Sequence, residues 1–240
     1  MSAHEPPELL VQARDVLRAM RLGARRAFVL ELTGTPKAGK TSVLTTLQAF
    51  FKEAGFRVSI LKERATECPL AMKGHFFFNA WTMSTMLAEV LASLETDADL
   101  LLLDRGFLDA LIWLELQSAR QQVSDDEKAT FTDFVLLPRW RGLIDYTIIM
   151  KADPAIAIVR ENDALLVPRR GSLMNEPALT EFNAAIDRTT SAQQNNFSFS
   201  IIDTSVSKNV RESCIQVLRT ILPVLGAWAD PSVTVIRRSD

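Results

Sequence analysis

Residues 34–41 read Gly34-Thr35-Pro36-Lys37-Ala38-Gly39-Lys40-Thr41 and match G-x-x-x-x-G-K-[ST], the pattern of a loop that wraps nucleotide phosphates. An apolar, β-prone run precedes this loop at residues 27–33, and apolar residues at helical spacing follow it over residues 42–51. Strand, glycine loop and helix in this order are the setting that the pattern requires. The sequence therefore predicts a site for ATP and Mg²⁺ built on the backbone of residues 34–42, from Gly34 to Ser42, in which Lys40 pairs with the β- and γ-phosphates and Thr41 ligates the metal.

Composition narrows the class of protein. The 240 residues are 48% hydrophobic and 23% charged, with a formal net charge of −2, which favours one α/β domain and argues against a broad nucleic-acid surface. Two cysteines and two histidines are too few for a disulfide framework or a zinc site. The sequence shows neither a secretory signal nor an apolar run of membrane-spanning length, so we expect a cytoplasmic protein without membrane contact.

Short apolar runs alternate with helical patterns along the chain. We predict strands over residues 27–33, 57–61, 100–103, 146–150 and 197–203. Helical patterns fill the gaps, and a capping box at Ser124-Asp125-Asp126-Glu127 opens one of these helices. Strands that alternate with helices predict a parallel, doubly wound sheet, here a three-layer α/β/α sandwich with five strands. Ligands of such sheets bind outside the carboxyl ends of the strands.

We expect three parts along the chain: an N-terminal helical extension over residues 1–24, the main domain over residues 25–222, and a C-terminal tail over residues 223–240. Apolar residues at helical spacing make residues 8–22 an amphipathic helix. Packing of this helix on the sheet is favoured over binding of a partner protein.

One acidic residue stands where a metal contact is needed. The buried strand Leu100–Leu103 is followed directly by Asp104, which places a carboxylate at the edge of the sheet where ligands bind. A phosphate-loop protein needs a second magnesium contact at such a point, usually made through water. We therefore expect Asp104 to stand behind Thr41 at the metal.

Asp104-Arg105-Gly106, together with the phosphate loop, resembles the thymidylate kinases and deoxynucleoside kinases. Residues 151–160 look like the strand end and helix that precede the mobile lid of those kinases, here expected around residues 160–176, and residues 201–205 look like the loop that borders the adenine. The resemblance spans residues 27–222. It implies that Arg105 holds the phosphate or sugar of the acceptor, and that Arg160 and Thr204 lie at the bound ATP.

The resemblance also implies an acceptor side after the second strand. Glu63 would act as general base or orient a sugar, and Arg64 would pair with an acceptor phosphate. No proline follows Glu63, which departs from the family pattern, and a solvated turn is an equal alternative. Lys37 in the loop, and Arg169 and Arg170 in the lid, would stabilise the transferring phosphoryl group; a solvated turn is again the alternative for the two arginines.

An aromatic cluster at residues 75–81 lies where a nucleobase would stack. Phe78 and Trp81 are candidates for that contact, although core packing is the better expectation for any single ring.

The favoured function is transfer of the γ-phosphoryl group of ATP to a nucleoside or a nucleoside monophosphate, with a thymidylate-kinase-like enzyme preferred. Alternatives are a kinase for another small metabolite or for a modified base in DNA, and a nucleotide-sensing NTPase that switches a partner. The apolar helix over residues 107–116 suggests a homodimer, although its surface could equally be internal.

Overall fold

A computed structural model of the chain describes residues 7–22, 26–65, 67–69, 75–164 and 173–230. The strands are β1 (Phe28–Gly34), β2 (Val58–Leu61), β3 (Leu100–Asp104), β4 (Tyr146–Lys151) and β5 (Phe199–Asp203). The helices are α1 (Pro7–Leu22), α2 (Lys40–Glu53), α3 (Phe76–Ser93), α4 (Phe107–Ala119), α5 (Asp125–Val135), α6 (Pro138–Arg141), α7 (Pro154–Ala164), α8 (Glu176–Gln193) and α9 (Val210–Ala229). None of these helices is both long and apolar enough to cross a membrane.

All the strands pair in parallel in one sheet, in the order β2-β3-β1-β4-β5. Strand β1 is central: Leu30 lies opposite Leu102 of β3 on one side and Tyr146 of β4 on the other. Every residue of β1 and β3 is buried, as expected for strands covered on both faces. The carboxyl ends of β1, β3 and β4 therefore meet at one edge of the sheet.

Alternating side chains of β1 build the two cores. Phe28, Leu30 and Leu32 pack with α1, α2 and α9, and Val29 points to the opposite layer with α3, α4 and α8. The predicted three-layer α/β/α sandwich with a five-stranded parallel sheet is confirmed. The capping box at the start of α5 is also present, with the Ser124 side chain accepting from the backbone of Glu127.

Two helices differ from the expected division of the chain. Helix α9 does not end at Leu222 but continues to Ala229 with Pro223 inside it. Its last turns bury Leu225 and Trp228, and this apolar face offsets the hydrogen bond that proline removes. The expected tail boundary at residue 223 is therefore corrected. Helix α1 packs against α9 and joins the same core as the sheet, so it is a part of the domain's packing.

Helix α4 supplies little apolar surface for a partner. The apolar side chains that suggested a homodimer are Phe107, Leu108, Ala110, Leu111, Ile112, Leu114 and Leu116, and all of them are buried within the chain. Trp113 is half-buried and packs edge-on against Phe182 of α8. The apolar character of α4 is thus explained by its contacts with α3, α5 and α8.

A buried ion pair joins the end of α9 to the start of the sheet. Asp145 receives two hydrogen bonds from the Arg26 guanidinium, at 2.7 and 2.8 Å, and one from the backbone N–H of Val29 at 2.8 Å. Trp228 Nε1 donates a further bond of 2.9 Å to Asp145 Oδ1. Burial raises the pKa of Asp145, and the Arg26 charge and these donors oppose that shift. The carboxylate thus ties α9 to β1 and β4.

We expect Trp228→Phe to lower the free energy of unfolding by about 1.5–3 kcal/mol, because it removes a hydrogen bond to a buried charged group. Trp140→Phe is the matched control, because Trp140 Nε1 donates to the neutral Phe134 carbonyl oxygen at 2.7 Å on a half-buried surface. Its expected loss is about 0.5–1.5 kcal/mol. Urea denaturation of both variants measures the difference, and equal losses would contradict the role assigned to Asp145.

Candidate functional site

The phosphate loop connects β1 to α2 and is fitted closely against β4. A Cβ atom added to Gly34, whose φ is 124°, would lie 2.1 Å from the carbonyl oxygen of Met150. Gly39 precedes the first residue of α2 with a φ of 95°, in the left-handed region that favours glycine. Both glycines of the sequence pattern are therefore required by the backbone, and the N-terminus of α2 is left open towards the loop.

Lys40 is buried beneath its own loop. Its Nζ donates to the carbonyl oxygens of Gly34 and Thr35 at 2.9 and 2.8 Å. Burial lowers the pKa of Lys40 to about 7, helped by the positive charge of Arg105 and opposed by nearby carboxylates. The two carbonyl oxygens carry only partial negative charges. A bound phosphate group would supply a full negative charge, and the Lys40 ammonium lies where it could pair with that group.

Thr41 and Asp104 meet at the edge of the sheet. Thr41 Oγ1 donates to Asp104 Oδ2 at 2.9 Å, and Asp104 Oδ1 is buried with no hydrogen-bond partner in the described part of the chain. A hydroxyl and a carboxylate oxygen are hard ligands that suit Mg²⁺. The described residues contain no group of three or more histidine, cysteine or acidic side chains that could hold a metal. An ion here would thus depend on phosphate oxygens and water for its other ligands, as is usual for Mg²⁺.

The Thr35 side chain fixes the loop to neighbouring elements through hydrogen bonds. Its side chain donates to Asn183 Oδ1 of α8 at 2.6 Å and accepts from the backbone N–H of Ala152 at 3.2 Å. Asn183 Nδ2 donates in turn to the Ala152 carbonyl oxygen at 3.0 Å. The first turn of the loop is thereby fixed to α8 and to the end of β4. No local sequence signal marks Asn183 for this contact.

The tip of the loop meets α7 and the segment after β5. Lys37, with a φ of 61°, forms an ion pair of 2.5 Å with Glu161, which the sequence did not single out. Arg160 donates to the carbonyl oxygen and hydroxyl of Thr204 at 2.6 and 3.1 Å. Lys37, Arg160 and Thr204 are thus brought together on the donor side. The two lid arginines, Arg169 and Arg170, lie outside the described residues.

Arg105 occupies an uncommon backbone conformation at the end of β3. Its φ is 68°, in the left-handed region that costs a non-glycine residue about 1–3 kcal/mol. The guanidinium forms ion pairs of 2.9 Å with Asp109 and with Glu63. Burial alone would lower the pKa of Arg105, but these carboxylates outweigh it and raise the pKa. The arrangement holds a permanent positive charge next to Glu63.

A cavity of about 580 Å³ lies between α3 and α4 and begins beside the phosphate loop. The residues that line it next to the phosphate loop include Pro36, Asp104, Arg105 and Glu63. Its walls are mostly apolar and include Phe78, Asn79, Met83, Met86, Ala110 and Trp113. This size is within the range of pockets that hold small organic ligands. The cavity is therefore a candidate acceptor site that adjoins the candidate donor site.

The structure separates the two aromatic candidates. Phe78 lines the cavity, but Trp81 does not, because the cavity face of α3 follows the series 75, 78, 79, 82, 83 and 86. The second aromatic wall comes instead from Trp113 of α4. Residues 105, 109, 113 and 117 all line the cavity, and this spacing of four is the sequence signal that could have identified Trp113 and Asp109.

The arginines of the cavity are already paired with carboxylates. Arg64 lines the cavity but forms ion pairs with Glu67 and Glu89. Arg120, at the far end of α4, pairs with Glu181 of α8 at 2.6 Å. Together with the two partners of Arg105, these contacts leave no excess of positive charge on the described cavity wall.

Comparisons with known proteins agree with this geometry at the level of the fold. The family model described as methylmalonyl Co-A mutase-associated GTPase MeaB matches residues 2–65, which include the phosphate loop. No curated protein matches the chain. The solved structures that resemble it include deoxyadenosine kinase from M. mycoides with bound dCTP, with a TM-score of 0.58 and 19% sequence identity. The same kinase with bound dATP gives a TM-score of 0.61 at 18% identity.

Both matches to the kinase cover 82% of this chain and 99% of that chain. At a sequence identity this low, the match shows that the two proteins share a fold. The loop, the sheet order and these neighbours lead to one conclusion: the chain is a phosphate-loop protein with a nucleoside-kinase-like fold.

Proposed function

We propose that this protein transfers the γ-phosphoryl group of ATP to a hydroxyl group of a nucleoside. The observation that carries the proposal is the Glu63–Arg105 ion pair, which lines the cavity together with Asp104 and with Pro36 of the phosphate loop. A protein that only senses nucleotides has no need for a second cavity beside the phosphate loop. The pair supplies a proton acceptor and a fixed positive charge where the two substrates would meet.

The donor side would be held by the backbone of the phosphate loop and by Lys40. Amide groups at the start of α2 and the helix dipole favour phosphate oxygens. Thr41 and Asp104 would hold Mg²⁺, which when bound neutralises charge on the β- and γ-phosphates. Arg160 and Thr204, joined to each other after β5, would border the base of the nucleotide.

The charges of the cavity favour a hydroxyl acceptor over a phosphate acceptor. A phosphate group would have to compete with Glu63 and Asp109 for Arg105, and with Glu67 and Glu89 for Arg64. A hydroxyl group instead gains from a carboxylate, to which it can donate. The aromatic walls from Phe78 and Trp113 suit the flat faces of a nucleobase. We therefore favour a nucleoside over the nucleoside monophosphate of the thymidylate-kinase-like alternative.

The proposed reaction forms a bond between the acceptor oxygen and the γ-phosphorus and breaks the bond from that phosphorus to the bridging oxygen of ADP. Glu63 accepts the proton of the hydroxyl group. Arg105 and Lys40 stabilise the charge that develops on the phosphoryl oxygens. The products are a nucleoside monophosphate and ADP.

The deciding experiment incubates the protein with γ-labelled ATP and Mg²⁺ and a panel of nucleosides and nucleoside monophosphates, and separates the products. We expect label on at least one nucleoside. Label on monophosphates alone would replace the hydroxyl acceptor by a phosphate acceptor. Release of inorganic phosphate with every member of the panel unlabelled would favour the nucleotide-sensing NTPase instead.

Glu63→Gln should lower kcat by about 10²–10⁴-fold, because the amide cannot accept the proton of the hydroxyl group. The affinity for ATP should stay unchanged, since the donor loop is not altered. Glu67→Gln is the matched control: Glu67 pairs with Arg64 but does not line the cavity, so its kcat should remain close to that of the parent. Comparable losses in the two variants would remove Glu63 from the proposed chemistry.

Asp104→Asn should raise the Mg²⁺ concentration for half-maximal activity by about tenfold or more, because it removes the buried carboxylate charge behind Thr41. Thr41→Ala should shift the titration in the same direction. Asp153→Asn serves as control, because the Asp153 side chain caps the backbone N–H of Ala155 at the start of α7 and takes no part in the hydrogen bond between Thr41 and Asp104. An unchanged Mg²⁺ titration in Asp104→Asn would place the metal elsewhere.

Nucleotide binding at pH 8 should take up about one proton, because phosphates raise the pKa of Lys40 from the value of about 7 that burial imposes. Below the pH of that lowered pKa, Lys40 is already protonated, so the uptake should vanish near pH 6 and the affinity should fall as the pH rises above 7. Calorimetry in buffers of different ionisation enthalpy measures the uptake. Lys40→Met should bind weakly and without this proton, and equal uptake in that variant would assign the proton to another group.

A further inference from the structure

Glu31 is a fully buried carboxylate in the middle of the central strand. Its side chain lies on the face of β1 that contacts α4, where it accepts hydrogen bonds from the backbone N–H groups of Leu108 and Asp109 at 3.2 and 3.0 Å. The residue before α4 is Gly106, which offers no side chain to cap the helix. The first turn of α4 is therefore capped by a residue of another element, which lies 77 positions before Leu108 and 78 before Asp109 in the chain.

Gly106 lets this contact form. A Cβ atom at Gly106 would lie 2.9 Å from Glu31 Cδ and 3.1 Å from its Oε2, which is shorter than van der Waals contact. The φ of Gly106 is −177°, an extended conformation that any residue can adopt. The need for glycine here thus comes from the closeness of the carboxylate and not from the backbone angle.

Strand β1 holds the turn before α4 at three consecutive residues. Besides the Glu31 contacts, Leu32 accepts from the backbone N–H of Arg105 at 2.9 Å, and Thr33 Oγ1 donates to Asp109 at 2.5 Å. Asp109 pairs with the Arg105 guanidinium. The next residue of the strand, Gly34, begins the phosphate loop. One strand thus carries the donor loop and also fixes the arginine that faces the cavity.

The cost of burying Glu31 is substantial. Burial raises its pKa to about 7, with the carboxylate of Asp109 adding to the shift and the backbone donors of α4 opposing it. An apolar side chain would fill the same layer without this cost, since Val29 of the same strand face packs in that core. The hydrogen bonds from the backbone of α4 to the carboxylate offset part of this cost.

We infer that Glu31 is a positioning residue, which sets Arg105 against the cavity by capping α4 and holding the Arg105-Gly106 turn on β1. The expected effect on kinetics rests on the proposed function, whereas the position of Arg105 can be measured without it. Glu31 touches neither the phosphate loop contacts of Lys40 nor the Thr41–Asp104 pair.

The test uses Glu31→Gln, Gly106→Ala and the double variant, with Gly226→Ala as the matched control. Gly226 lies in α9, and a Cβ there would meet Val16 at 3.8 Å, an ordinary contact. Nuclear magnetic resonance of arginine Nε–H groups reports on the Arg105 Nε–H, which is buried beside the carboxylate of Glu63 in their ion pair. We expect slow solvent exchange of the Arg105 signal in the parent and in Gly226→Ala, and fast exchange in Glu31→Gln and Gly106→Ala.

With a nucleoside acceptor, Glu31→Gln should lower acceptor kcat/KM by about 10- to 100-fold, because small displacements of a positioned group have effects of this size. The affinity for ATP should be unchanged. The double variant should lose no more than the worse single variant, since both changes act on one contact. If Gly106→Ala does not fold, Glu31→Gln decides alone.

Slow Arg105 exchange together with parental acceptor kinetics in Glu31→Gln would overturn the inference, and so would an equal loss of ATP affinity. If the parent phosphorylates no nucleoside, the proposed function fails, and the Arg105 exchange rates still support or overturn the positioning role.

Discussion

The pairing of β1 between β3 and β4 is the constraint on which the rest of this structure depends. Because these strands are parallel and in close register, Gly34, Asp104 and Lys151 reach the same edge of the sheet. The loop after β1 then has the carbonyl of Met150 on one side and the Thr41–Asp104 contact on the other. A shift of β3 would move Asp104 away from Thr41, and a shift of β4 would disturb the close contact between Met150 and Gly34.

Charge compensation is the second organising feature of the site. Glu63 and Asp109 share Arg105, and Lys37 is paired with Glu161. A wall made of paired charges is less attractive to a free anion than an uncompensated arginine, yet it keeps strong hydrogen-bonding groups in fixed positions. Such a wall selects between substrates by the positions of their hydrogen-bond donors and acceptors more than by their total charge.

Local patterns explain how much of the fold and site the sequence could predict. The phosphate loop and the strand that ends in Asp104 are each specified by a few adjacent residues, and both were predicted at the right place. The choice of Trp81 for base stacking stays a prediction, but the face of α3 that lines the cavity carries Phe78 and not Trp81. The tail boundary expected at residue 223 falls inside α9, which continues through Pro223 because the burial of Trp228 outweighs the tendency of proline to stop a helix.

Contacts between distant residues could not be predicted in this way. Asn183 holds the phosphate loop and Glu31 caps α4, but the partners of each lie many residues away in sequence. A glutamate inside an apolar run signals that something polar lies opposite it, without saying what. The packing of α4 and α8 on the sheet brings Glu31 and Asn183 together with these partners.

The contact between α1 and α9 has a consequence for how the chain is made. Both helices pack in one core with α2 beneath them, and Asp145 ties Trp228 to the base of the sheet. Because α1 is synthesised before α9, the part of its apolar face that packs on α9 stays uncovered until α9 has been made. Until then, the apolar side chains of α1 that face α9 remain exposed to water. Folding of this layer should therefore be completed only once α9 has been synthesised, with the chance of aggregation highest before that point.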